Sequence, residues 1–303
     1  MKSLYLPQQF VRLPKAELML ILVAVFWGTS YGVSKQALAF ISVTAFLAVR
    51  FLLTFFLLLP VFISDYKKGK TKNAWIAVPS GILLLLIFTT EAFGVLNTSA
   101  SNAVVLVSLC VIMTPFVEWF AFRTKPDKKL FVLCTLAFSG VLLLTVKSGF
   151  SLSFNKGDML ILLAAVLRAF MVVYTKKLMQ GRGLPILSLT MLQSGIIGFG
   201  ALFVLLLSNN GGIPELPNEA QFWWLTLYLV LFCTIFAFFA QNYALSKTSA
   251  SNVSVLMGSE PLFGILFAMI FLGEALLWYQ YLGALLIVLV TLYASLSDQS
   301  KDS

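Results

Sequence analysis

The sequence predicts an all-α integral membrane protein, with ten transmembrane helices arranged as two inverted five-helix repeats. Three observations lead there. Of 303 residues, 60% are hydrophobic and only 11% are charged, more apolar surface than a soluble domain of this length could bury. The apolar residues gather into stretches of about twenty, the length that crosses a hydrocarbon core of about 30 Å. One polar string, Thr98-Ser99-Ala100-Ser101-Asn102, recurs as Thr248-Ser249-Ala250-Ser251-Asn252, so internal repetition is tested before fold.

The spans fall at Leu18–Leu38, Val43–Ile63, Ala74–Leu96, Ser99–Phe122 and Leu130–Val146, then at Asp158–Met179, Pro185–Leu207, Phe222–Leu245, Ser249–Leu272 and Leu276–Leu296. The first is too long for the apolar core of a signal peptide and reads as a spanning helix. Lys and Arg set orientation. Sixteen of them, including Lys67-Lys68, Arg123, Lys128-Lys129, Lys176-Lys177 and Lys247, fall on one side. Only Lys35, Lys147 and Lys156 fall on the other. Both termini are therefore expected in the cytoplasm.

Sliding the chain by the interval between the two pentapeptides lays Glu91–Asn97 over Gln241–Lys247, with matching apolar and aromatic positions. Thr114-Pro115 then corresponds to Glu260-Pro261 if the first copy carries four extra residues. Upstream, Trp27 aligns with Arg168 and Lys35 with Lys176. The expected organisation is a segment 1–16, a first repeat over 17–147, a linker 148–157, a second repeat over 158–297 and a tail 298–303. Five helices per copy is odd, so the copies cross the membrane in opposite senses, the architecture of alternating access.

Composition excludes much else. The chain has no histidine, which removes imidazole from any relay, dyad or zinc site. Cys110, Cys134 and Cys233 sit in apolar stretches at no ligand-like spacing. No metal or cofactor is expected. The net charge of +9 is spread over loops as a topology signal, so nucleic acid is not an expected partner.

Charges inside spans are costly and face a cavity or a partner. Arg50 and Glu91 both lie roughly 10 Å below the outer surface by helical rise. They form a structural ion pair or an outer gate. Arg168 and Glu260 lie near mid-bilayer. They pair structurally or face substrate, Arg168 meeting an anionic group that Glu260 helps hold, and the midplane position favours the second reading. Trp27, Tyr31, Phe236, Phe239 and Tyr243 are candidates to wall a cavity, and Asn102, Asn242 and Asn252 to bind polar substrate groups or cap helices. Pro115 and Pro261 are candidate hinges. Glu118 is expected to reach the interface or pair with Arg123 and Lys125, and Lys35 to snorkel outward. Ala24, Gly28 and Gly32 form a small-residue face suited to close helix packing.

Trp27-Gly28-Thr29-Ser30 followed by Lys35, Arg50-Phe51, and Glu260-Pro261 with Leu272-Gly273-Glu274 together resemble the drug/metabolite transporter superfamily of the EamA type, over about residues 17–297. The resemblance implies two five-helix inverted halves around a central cavity, with helices five and ten as dimerising elements. It also implies transport, usually export, of amino acids and related polar metabolites across a bacterial inner membrane. Two departures stand out. Lys125-Pro126-Asp127-Lys128 replaces the Leu-Gly-Glu turn in the first copy, and Arg168 stands where such proteins commonly carry an aromatic. The expected function is a secondary transporter of a small anionic or zwitterionic metabolite, with proton coupling and a homodimer as further possibilities. A membrane-embedded enzyme acting on lipid or peptide is the alternative. It would need a nucleophile–base pair or metal motif, and the chain has no such string.

Overall fold

A computed structural model describes residues 15–98, 100–123, 128–145, 155–208, 211–212, 214–264, 266 and 277–299; at 100–102, 104–105, 144–145, 291–292 and 294–299 it describes the backbone alone. The described residues are helical, with no strand. The helices are α1 (Lys15–Ala37), α2 (Val43–Lys67), α3 (Ala77–Asn97, after one 3-10 turn), α4 (Ala100–Phe122) and α5 (Lys128–Thr145). After them come α6 (Lys156–Met179), α7 (Ile186–Ser208), α8 (Ala220–Val230), α9 (Ala237–Leu245), α10 (Ala250–Met257) and α11 (Trp278–Gln299). Among the described residues six helical stretches are long and apolar enough to cross a membrane: α1, α2, Ala74–Asn97, α6, α7 and Ala220–Leu245. The other four expected spans carry helix over α4, α5, α10 and α11. Most of the ninth span's second half lies outside the described residues.

Two local features were not expected. A capping box between Asn155 and Asp158 starts α6 at Lys156, earlier than hydropathy alone suggests, because the cap is polar. Between α8 and α9 the chain widens into a π-helix, Leu231–Phe236. Such a turn shifts the backbone hydrogen-bond register and is frequent at functional sites.

The molecule buries polar groups and exposes apolar ones. Arg50, Glu91, Gln193, Asn242 and Glu260 are buried, whereas Phe56, Phe120, Phe203 and Trp224 are exposed. That distribution suits a lipid solvent, in which helices associate through close packing rather than hydrophobic exclusion. Glycines make the approach possible. A Cβ on Gly157 of α6 would lie 2.6 Å from the Asn97 backbone of α3, and one on Gly28 of α1 would lie 2.6 Å from the carbonyl oxygen of Glu260. Gly32, on the same small-residue face, has nothing within 4 Å of such a Cβ, so only part of that face is packed. Gly195, Gly198 and Gly200 seat α7 against Phe55, Leu52 and Leu85.

The packing follows a pattern. The α2 helix lies against α7, α5 against α11, α3 against α6, and α1 against the continuous α8–α9 helix and α10. The two pentapeptides sit at opposite ends of α6. The Thr98 hydroxyl bonds Asp158 at its start, and the Lys176 ammonium bonds the Thr248 carbonyl near its finish. Those two α6 positions are about 27 Å apart along the axis.

Candidate functional site

Helices α1, α3 and α6 bring Tyr31, Glu91 and Arg168 to one point, and the chain after α10 adds Glu260. Arg168 Nε donates to Glu91 Oε1 at 2.5 Å, and its Nη2 lies 3.4 Å from the Tyr31 hydroxyl. Its Nη1 stands 3.5 Å from Glu260 Oε2. The guanidinium carbon lies 5.1 Å from the Trp27 ring centroid, a cation–π contact that strengthens away from water. All three nitrogens are engaged, with the closest bond to Glu91. Among the described residues, Glu260 Oε1 is buried without a hydrogen-bond partner.

This cluster stands at the waist between two cavities. One is lined by Leu84, Ser108, Thr114, Arg168, Ser254 and Glu260 among others. The second is lined by Ser34, Phe46, Arg50, Glu91, Val95 and Arg168 among others, toward the Thr98 end. Trp27, Phe88 and Arg168 border both.

Several expectations change. Arg50 does not pair with Glu91. Its Nε donates to Thr234 Oγ1 at 3.0 Å, its Nη2 approaches the Cys233 carbonyl at 3.5 Å, and its guanidinium lies over the Phe51 and Phe88 rings. Both acceptors lie in the π-helix, whose Cys233 carbonyl also accepts from Trp27 Nε1 at 2.9 Å. Glu91 is thereby left to Arg168. Lys125 of the expected basic cluster lies outside the described residues, and Glu118 has another role among them. Its carboxylate accepts from the backbone N–H of Ala250 (3.0 Å) and Ser251 (2.9 Å) and from the Ser251 hydroxyl, capping α10 where the orphan N–H groups favour an anion.

The remaining residues are dispersed. Tyr243 stacks on Phe239 with ring centroids 6.2 Å apart, Phe236 packs edge-on against Phe26, and none of these three lines either cavity. Asn252 bonds back to Thr248 within the helix start, and Asn242 donates to Gln193 in a buried network with Ser80. The side chain of Asn102 lies outside the described residues. Pro115 sits within a continuous α4. Pro261 does not kink a helix. The α10 helix ends at Met257, and a new turn runs over 260–264, where proline's missing N–H costs nothing. Thr114, Ser254 and Gln241 of the first cavity were not singled out from sequence. Thr114 Oγ1 bonds Ser254 Oγ at 3.0 Å, a contact between repeats that only the fold creates.

Comparison with known proteins bears on the family and the fold. The EamA-like transporter family matches residues 14–146 and again 155–296. An uncharacterized transporter of Archaeoglobus fulgidus is 30% identical over 285 residues, covering 93% of this chain and 86% of that protein. The uncharacterized transporter YcxC of Bacillus subtilis is 25% identical over 71% of each. A solved structure superposes with a TM-score of 0.73 at 14% identity, covering 95% of this chain and 99% of its own, a likeness of fold alone. With six apolar helices of membrane length and two copies of the domain, the chain belongs to the EamA-like transporter family and is a multi-pass integral membrane protein.

Proposed function

We propose that the protein is a secondary transporter that exports a small polar metabolite, amino-acid-like and zwitterionic, by alternating access. The observation that carries this reading is the Glu91–Arg168–Glu260 cluster at the waist between two cavities. Charge at that depth is costly unless it serves a pathway. Arg168 and Glu260 are the proposed centre of the site, with Trp27 and Tyr31 as its aromatic wall.

The proposed arrangement of ten spans in two inverted halves fits this mechanism. Exchange of halves turns the α3–α6 contact into that of α8–α9 with α1, and it leaves α2–α7 and α5–α11 in place. The two pentapeptides at opposite ends of α6 fit the same symmetry. The asymmetry of loop charge favours a cytoplasmic location for the termini and the Thr248 end. Glu91 and Glu260 are the carboxylates available to carry a proton in exchange for substrate.

Counterflow of labelled metabolites in proteoliposomes, with and without an imposed pH gradient, tests transport and coupling together. Topology has its own test. Single cysteines at Asn97 and Lys247, in a background lacking Cys110, Cys134 and Cys233, should label from opposite faces of intact cells. Labelling of both from outside would sink the inverted arrangement.

A further inference from the structure

We infer that Glu260 is the receptor for a cationic group of the substrate, an ammonium that docks on its Oε1 from the first cavity. The inference rests on the transport reading above and names the substrate class of the same site.

The sequence suggested the opposite polarity, with Arg168 receiving an anion. The geometry decides against that. Arg168 Nε is held by Glu91 at 2.5 Å, Nη1 faces Glu260 at 3.5 Å and Nη2 faces Tyr31 at 3.4 Å. The face of its guanidinium is covered by Trp27. An incoming anion would have to displace two carboxylates from one cation, and its own charge would sit beside both of them.

Glu260 is in the complementary position. It is 5% exposed, and its Oε1 has no hydrogen-bond partner among the described residues. An ionised carboxylate offers about four acceptor positions. Here one oxygen meets a shared guanidinium at the long end of ion-pair contact, the Tyr31 hydroxyl stands beside the carboxylate, and Oε1 has no hydrogen-bond partner among the described residues. Leaving such an oxygen buried is unfavourable, and a donor with positive charge is the group that relieves it best. The cavity reinforces the choice. Apart from Arg168, its described lining has no Lys or Arg. Thr114 and Ser254 line the same cavity, and their hydroxyls can accept from the remaining ammonium protons. Leu84, Ile87, Val111, Met171 and Val172 supply an apolar wall for the substrate's body.

The test uses three probes of one shape: leucine, its decarboxylated form isoamylamine and its deaminated form isocaproate. Binding to the full-length protein in nanodiscs is read by thermal unfolding, and counterflow of labelled leucine is measured separately in proteoliposomes. The expected result is stabilisation by leucine and isoamylamine but not by isocaproate. Glu260→Gln should weaken both amines at least about tenfold, whereas Glu260→Asp, which keeps the charge, should retain the preference for amines. Stabilisation by isocaproate, or by no amine, overturns the proposal. So does undiminished amine binding by Glu260→Gln. Amine binding without counterflow upholds the cation site and sinks the transport reading. Counterflow inhibited equally by amine and acid does the reverse.

Discussion

The two ends of the molecule carry the same pentapeptide, and among the described residues the contacts that hold it differ in kind; the side chains of residues 99–102 lie outside the described residues. At the Thr248 end the string is bound from several directions. Ser249 Oγ caps the Asn252 N–H at 3.0 Å, Glu118 takes the Ala250 and Ser251 N–H groups, and Lys176 holds the Thr248 carbonyl. Lys177 adds a bond to the Ala121 carbonyl at 2.9 Å. At the Thr98 end the Thr98 hydroxyl bonds Asp158, and Lys35, the repeat equivalent of Lys176, is exposed. The second cavity reaches this end between Ser34 and Val95. In the proposed alternating-access cycle one such end closes while the other opens. In the proposed cycle the roles exchange, so that Lys35 closes on the Thr98 segment when Lys176 lets go.

The largest expected effect lies at the waist that joins the ends. Glu91→Gln leaves Arg168 without its closest partner and should cost about 3–5 kcal/mol, read as a lower unfolding temperature in detergent. Adding Arg168→Gln should recover most of that loss, and adding Arg50→Gln should not. Rescue by Arg50→Gln instead would restore the sequence-based pairing and discard the observed one.

Next is the Glu118 cap. Glu118→Ala orphans N–H groups at the start of α10 and should cost about 1–2 kcal/mol, the scale of a lost N-cap. It should also loosen the closed end, raising maleimide labelling of Ser254→Cys from the Thr248 side. Unchanged labelling would mean that the cap stabilises a helix without closing an end.

The lysines sharpen the comparison. Lys176→Met should lower the unfolding temperature and increase labelling at Ser254→Cys, whereas Lys35→Met should leave both unchanged. Both variants should slow counterflow, because each lysine closes one state. If only Lys176→Met slows it, the two ends do not exchange roles. The smallest effect is expected for Ser249→Ala, which removes one neutral cap bond and should cost about 1 kcal/mol with no change in which end is open.

Part of this organisation is legible in the amino-acid sequence. The repeat is visible because identical residues recur in order, and membrane placement is visible because lipid and loop charge impose patterns on composition. Mid-bilayer Arg168 and Glu260 stand out because burying charge is costly wherever the chain goes. The partners of those charges are not legible. Depth counted along two helices places Arg50 beside Glu91, but depth says nothing about which way a side chain turns. The π-helix offers Arg50 a carbonyl and a hydroxyl, and no hydropathy window registers a change of backbone register.

By itself, then, the sequence determined what is set by each residue's own free energy of transfer: which segments enter lipid, which charges need an explanation, and that the chain is written twice. The tertiary structure alone decided what depends on direction and distance between segments remote in the chain. It paired Arg168 with Glu91, left one oxygen of Glu260 without a hydrogen-bond partner among the described residues, and turned Glu118 to the start of α10. Hydrogen bonds and ion pairs weaken steeply with angle and distance, so these choices exist only once the helices are packed.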